Sequence, residues 1–215
     1  MHNFDKTADR IHQIFEARTA ARDRALSQAR TLIRHCANAI RAIHREELVT
    51  ALEHLNNASQ LVNVIQEELS GYPDLYFAGY TQDALKEYAE AYLVYALVTR
   101  EETPTPEDLK LEYATYIQGL AEAVGELRRR CLDLLLHENF DEARRLLNLM
   151  DDIYAVLVTM DYPDAITGGL RRLTDLVRGV TERTHGDVAL SMRQQKLEQS
   201  LRHFESRLED VQDGR

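Results

Sequence analysis

Along the chain, apolar residues recur at intervals of three and four and not at two, the spacing of one helical face. Four prolines and nine glycines in 215 residues leave few places to turn. They cluster with other turn formers at Ser70-Gly71-Tyr72-Pro73, Gly79-Tyr80-Thr81, Thr103-Pro104-Thr105-Pro106, around Asn139, at Tyr162-Pro163, Gly168-Gly169 and His185-Gly186-Asp187. The pattern predicts helices over roughly 4–44, 46–69, 82–99, 106–137, 140–159, 163–184 and 187–210. Thr105-Pro106-Glu107-Asp108 reads as an N-cap, a proline in the first turn and an acidic start. Gly186-Asp187 reads as one helix ending and the next being capped. The first seventy residues lack glycine and proline, so the break near His44 to Glu46 rests on length alone. No alternating β-branched run, low-complexity segment or internal repeat is seen. The expectation is an all-α bundle of about seven helices, a single domain over residues 1–215.

Two helices carry charge where a core helix should not. In "KEYAEAYLVYALVTR", residues 86–100, Glu90 is the one charged residue between Tyr88 and Val98, and Glu87 lies about 60° from it around the helix. Such a helix should be buried nearly all round. An isolated buried carboxylate costs several kcal/mol, so the pair requires arginines, a shared proton or a metal ion. A second pair, Glu122 and Glu126 in "YIQGLAEAVGELRRRCLDLL", stands about 40° apart on one face, with Gly119 and Gly125 allowing close approach. Two neighbouring helices with such pairs can hold a hard divalent cation. The competing reading is an ion pair of Glu126 with Arg130 and of Glu122 with Arg129 or a facing arginine. A di-iron bundle would need Glu-x-x-His, which these helices lack.

On the first helix, Arg30, Arg34, Arg41 and Arg45 fall within about 60° of one another, opposite Ala29, Ile33, Cys36, Ile40 and Ile43. The strip is either a solvated face or a track of phosphate contacts, since guanidinium forks match phosphate oxygens. The net charge of −10 argues against a generally basic nucleic-acid coat but leaves room for a local strip. Two cysteines, Cys36 and Cys131, cannot build a disulfide framework, and both read as inert core thiols. The longest apolar run, Ala91 to Val98, is too short to span a bilayer, and the opening residues carry no leader-like segment. The expectation is a soluble, cytoplasmic protein with no membrane partner.

Taken together, "RHCANAIRAIHR", "LKEYAEAYLVYALV", "YIQGLAEAVGELRRRCLDLL" and "MDDIYAVLVTMDYPDAITGGLRRLTDLVRGVTERTHGD" resemble the translin family over about residues 20 to 200. The resemblance is nearest to prokaryotic translin-like proteins and to translin-associated factor X. It implies an all-α subunit, a closed homo-oligomeric shell, typically an octamer, and binding of single-stranded or structured RNA and DNA. For the factor X branch it further implies a Mg²⁺-dependent endoribonuclease facing the shell interior. The family's Glu-Tyr-x-Glu-Ala stretch matches Glu87 to Ala91, and its Ala-Asp-x-x-Gly-Glu-Leu stretch matches Ala121 to Leu127, with Glu122 in place of Asp. The resemblance thus implies Glu87, Glu90, Glu122 and Glu126 as ligands of Mg²⁺ (or Mn²⁺) and as the catalytic set. Arg30, Arg34, Arg41 and Arg45 are the expected nucleic-acid contacts. The alternative is a translin-type RNA/DNA-binding shell without turnover.

Overall fold

The computed structural model describes residues 4–213, and among these it holds nine helices and no strand. They are α1 Phe4–His44, α2 Leu48–Leu69, α3 Pro73–Tyr76, α4 Gly79–Thr99, α5 Pro106–Leu109, α6 Tyr113–Leu136, α7 Phe140–Val158, α8 Asp164–Thr167 and α9 Leu170–Asp213. The all-α expectation holds. Its seven segments become nine: two short helices, α5 and α8, separate from longer ones, a third, α3, fills the turn after Gly71, and the last two predicted helices join into α9.

The chain divides into two compact units. The first contains the residues up to Ala123 together with Tyr162–Leu170. Here α1 buries Ala21, Ala25, Ala29, Leu32, Cys36, Ala39 and Ile43, spaced by fours and threes, a seam of mostly small residues that lets its partners approach closely. Residues 4–20 of the same helix are exposed throughout. The chain reverses at Glu46, whose φ of 61° ends the helix, with Glu47 N donating to Ala42 O at 2.9 Å. Helix α2 answers with Ala51, Leu55, Ala58, Val62, Ile65 and Leu69. Helix α4 is buried on nearly every side, as its lack of surface charge predicts.

The predicted 106–137 helix is two. Thr105 and Asp108 form a reciprocal capping box around Pro106, but Lys110 then takes a φ of 55°. The reason is packing: Leu109 and Leu111 are both buried, and residues two apart cannot share a helical face. Gln66 Nε2 donates to Lys110 O at 2.6 Å, and Lys110 Nζ donates to Asn63 Oδ1 at 2.9 Å, so the turn is tied to α2. The predicted 163–184 helix likewise stops after one turn, at Gly168 and Gly169, with φ of 62° and 89°. Gln118 Nε2 donates to Thr167 O at 2.7 Å and secures that turn.

The second unit contains Val124–Asp161 and the residues from Arg171 onward. Its core comes from Leu127, Cys131 and Leu134 of α6, Leu146, Leu147, Met150, Ile153 and Leu157 of α7, and Val177 and Val188 of α9. Val156 and Val158 of α7 are 45% and 52% exposed. The break expected at His185-Gly186-Asp187 is absent: α9 runs straight through it. Asp187 does not cap a helix; its Oδ2 receives Arg128 Nη2 at 2.8 Å. Among the described residues no helix is long and apolar enough to cross a membrane.

Candidate metal centre

Helix α4 carries Glu87 and Glu90. Glu90 is only 8% exposed and Glu87 is half-buried. Helix α6 approaches α4 at Gly119. A Cβ there would stand 2.6 Å from Ala89 Cβ, 2.9 Å from Lys86 O and 3.0 Å from Glu90 N, so the two backbones meet where the side chain is missing. One turn further on, α6 presents Glu122 to the same place. One carboxylate oxygen from each of Glu87, Glu90 and Glu122 lies within 4.8 Å of the other two.

This donor set suits a hard divalent cation. Around an octahedral Mg²⁺, neighbouring oxygens stand about 3 Å apart and opposite ones about 4.2 Å, so the three groups would have to draw together around an ion. Waters would complete the coordination of such an ion, since Mg²⁺ retains several of them. Glu126, the fourth expected ligand, is half-buried and lies outside this group of three, on the stretch of α6 that belongs to the second unit. Gly125, also expected to permit a close approach, has nothing near the position of its missing side chain.

The sequence reading missed Lys86. Its Nζ lies 2.8 Å from Glu122 Oε1, in place of the arginine expected to pair with Glu122. Burial works against its charge, but the hydrogen bond and charge of Glu122, with Asp83 and Glu87 behind them, prevail and lift it above the usual lysine value. The available signal was spacing: Lys86 stands four residues before Glu90 on one helical face. On the far side the group meets α1. The Cys36 thiol is fully buried, and its pKa is raised first by burial and then by the negative charges of Glu87 and Glu90.

Arg30, Arg34, Arg41 and Arg45 are all exposed on α1. Arg34 donates to Thr31 Oγ1 at 3.3 Å and Arg41 to Asn38 Oδ1 at 2.7 Å, both neutral partners, whereas Arg45 reaches Glu47 at 3.5 Å. A second feature that spacing does not reveal lies beside Arg34. His35 and His54 bring their Nδ1 atoms to 3.1 Å across the α1–α2 contact.

No family model matches the chain. An uncharacterised protein of Methanocaldococcus jannaschii is 31% identical over 188 residues, which cover 86% of this chain and 83% of that protein. The C3PO of Archaeoglobus, solved in complex with duplex RNA, superposes with a TM-score of 0.78 at 31% identity, covering 89% of this chain and 97% of its own. The Neurospora C3PO, solved in its apo form, gives a TM-score of 0.77 at 20% identity, covering 89% and 98%, a likeness of fold alone.

Proposed function

The chain belongs to the translin family, and on that premise we propose that it binds RNA and cleaves its phosphodiester bonds inside a closed homo-oligomeric shell of eight chains. Glu87, Glu90 and Glu122 hold Mg²⁺ (or Mn²⁺), with Glu126 one turn further on as the outer carboxylate of the catalytic set. The observation that carries the reading is three carboxylates converging from two helices within 4.8 Å, two of them half-buried and Glu90 buried. Bound there, the metal would supply an activated water and stabilise charge on the departing oxygen. The protein's own part is to hold the three carboxylates in register through the Gly119 contact. Arg30, Arg34, Arg41 and Arg45 contact phosphates and position the strand, of RNA or single-stranded DNA, without reading its bases. The C3PO solved with duplex RNA supports RNA as the ligand class. The reading assigns the protein to the cytoplasm.

The test is cleavage of end-labelled RNA with Mg²⁺ or with EDTA. Glu87→Gln, Glu90→Gln and Glu122→Gln should each lower Mg²⁺-dependent cleavage by roughly 100-fold while RNA affinity changes by less than about threefold. Undiminished cleavage in all three variants would remove the metal centre. One observation favours a second reading, a binding shell without turnover: Lys86 already neutralises Glu122 with no metal required. Tight binding by the wild type with no cleavage in Mg²⁺ would select it.

A further inference from the structure

Three carboxylates packed this closely repel one another, and partial burial strengthens that repulsion. Lys86 is a cation beside them that offsets part of it. Its side chain is 18% exposed and its ammonium contacts Glu122 at 2.8 Å, across the narrow seam that Gly119 creates. It belongs to the same helix as Glu87 and Glu90, and the charges of Asp83 and Glu87 act on it as well as that of Glu122. A lysine suits this place because its ammonium is a compact charge on a flexible stem, able to leave one partner for another; an arginine fork would be harder to release.

We propose that Lys86 is a positioning residue that stands in for the divalent cation. The ammonium holds Glu122 against α4 while no metal is bound, and an arriving ion must take Glu122 from it. Lys86 therefore weakens metal affinity and, in exchange, keeps the three carboxylates together without metal. Once released, the ammonium is at hand for the phosphate of the bound strand. This inference rests on the metal centre proposed above.

The experiment is Mn²⁺ titration of the wild-type protein, Lys86→Met and Glu90→Gln, read by electron paramagnetic resonance, with thermal unfolding of each protein with and without Mn²⁺. Methionine preserves the stem and deletes the charge. Lys86→Met should bind Mn²⁺ roughly tenfold more tightly than the wild type. It should also unfold at a lower temperature without metal and recover more on adding it. If Lys86→Met fails to fold, Lys86→Gln takes its place in the same titration. Affinity within twofold of the wild type, or weaker, overturns the role given to Lys86 while leaving the metal centre standing, provided Glu90→Gln loses the ion. A wild-type protein that binds no Mn²⁺ overturns both.

Discussion

His35 and His54 illustrate what a single contact can decide. With their Nδ1 atoms 3.1 Å apart, one ring must donate and the other accept, so the contact accommodates neutral rings and resists a second proton. Burial, then His54, then Arg34 lower the His35 pKa from the ordinary 6.5. The unfolded chain therefore takes up the proton more readily. The stability from this contact is complete above that ordinary value and is lost as pH falls through the lower folded one. The thermal midpoint should drop as pH is lowered from about 7.5 to about 5, and drop less in His35→Gln. Equal slopes in the two proteins would remove the pair from the account. Glu87 and Glu90 were legible in the sequence because charge in an apolar helix has no bland location. Lys86 was not, because a lysine beside a glutamate reads as ordinary helix surface until a facing helix is placed. The choice of Glu122 over Glu126 for the close group was equally hidden. It follows from where Gly119 seats α6, and periodicity puts both glutamates on one face.

The helices themselves were largely legible, and two of the misreadings, at Gly168-Gly169 and at Gly186, concern glycines, each of which acts according to its surroundings. Gly168 and Gly169 sit at positive φ and end α8; Gly186 lies inside α9, with nothing near its missing side chain. What seemed a cap at Asp187 is an ion pair with Arg128, a contact invisible until α6 and α9 are packed. Gly119 is different again, filled from outside by Ala89 and the α4 backbone. The two helical glycines should therefore respond in opposite directions to the same substitution. Gly186→Ala should stabilise by roughly 0.5–1 kcal/mol through helix propensity. Gly119→Ala should destabilise by about 1–3 kcal/mol, because α4 and α6 must separate. Urea unfolding of the two variants checks both signs, and a stabilising Gly119→Ala would refute the close contact.

For the whole molecule, the proposed function would require an acidic chain to collect RNA on the exposed arginines of α1, and enclosure would gather them on one inner surface. The described surface also leaves apolar groups uncovered. Leu190, Leu197, Leu201 and Phe204 follow one another along α9 at seven, four and three, each more than half exposed, the spacing of a helix seam awaiting a partner. Light scattering at physiological salt should give a mass near eight chains; the mass of a single chain would remove the chamber from the functional reading. The division into two compact units has a different consequence, through the cysteines. Each unit buries one, Cys36 in the first and Cys131 in the second, and neither is exposed to solvent. Burial, then the nearby carboxylates, raise the Cys36 thiol, and burial raises Cys131 to about 11, with Arg128 partly opposing. Near neutral pH both are protonated and shielded, so an alkylating reagent can mark either one only in the moments when its surroundings open. The chain thus carries two internal clocks, and their relative rates under trapping report whether the two units breathe as one body or each to its own rhythm.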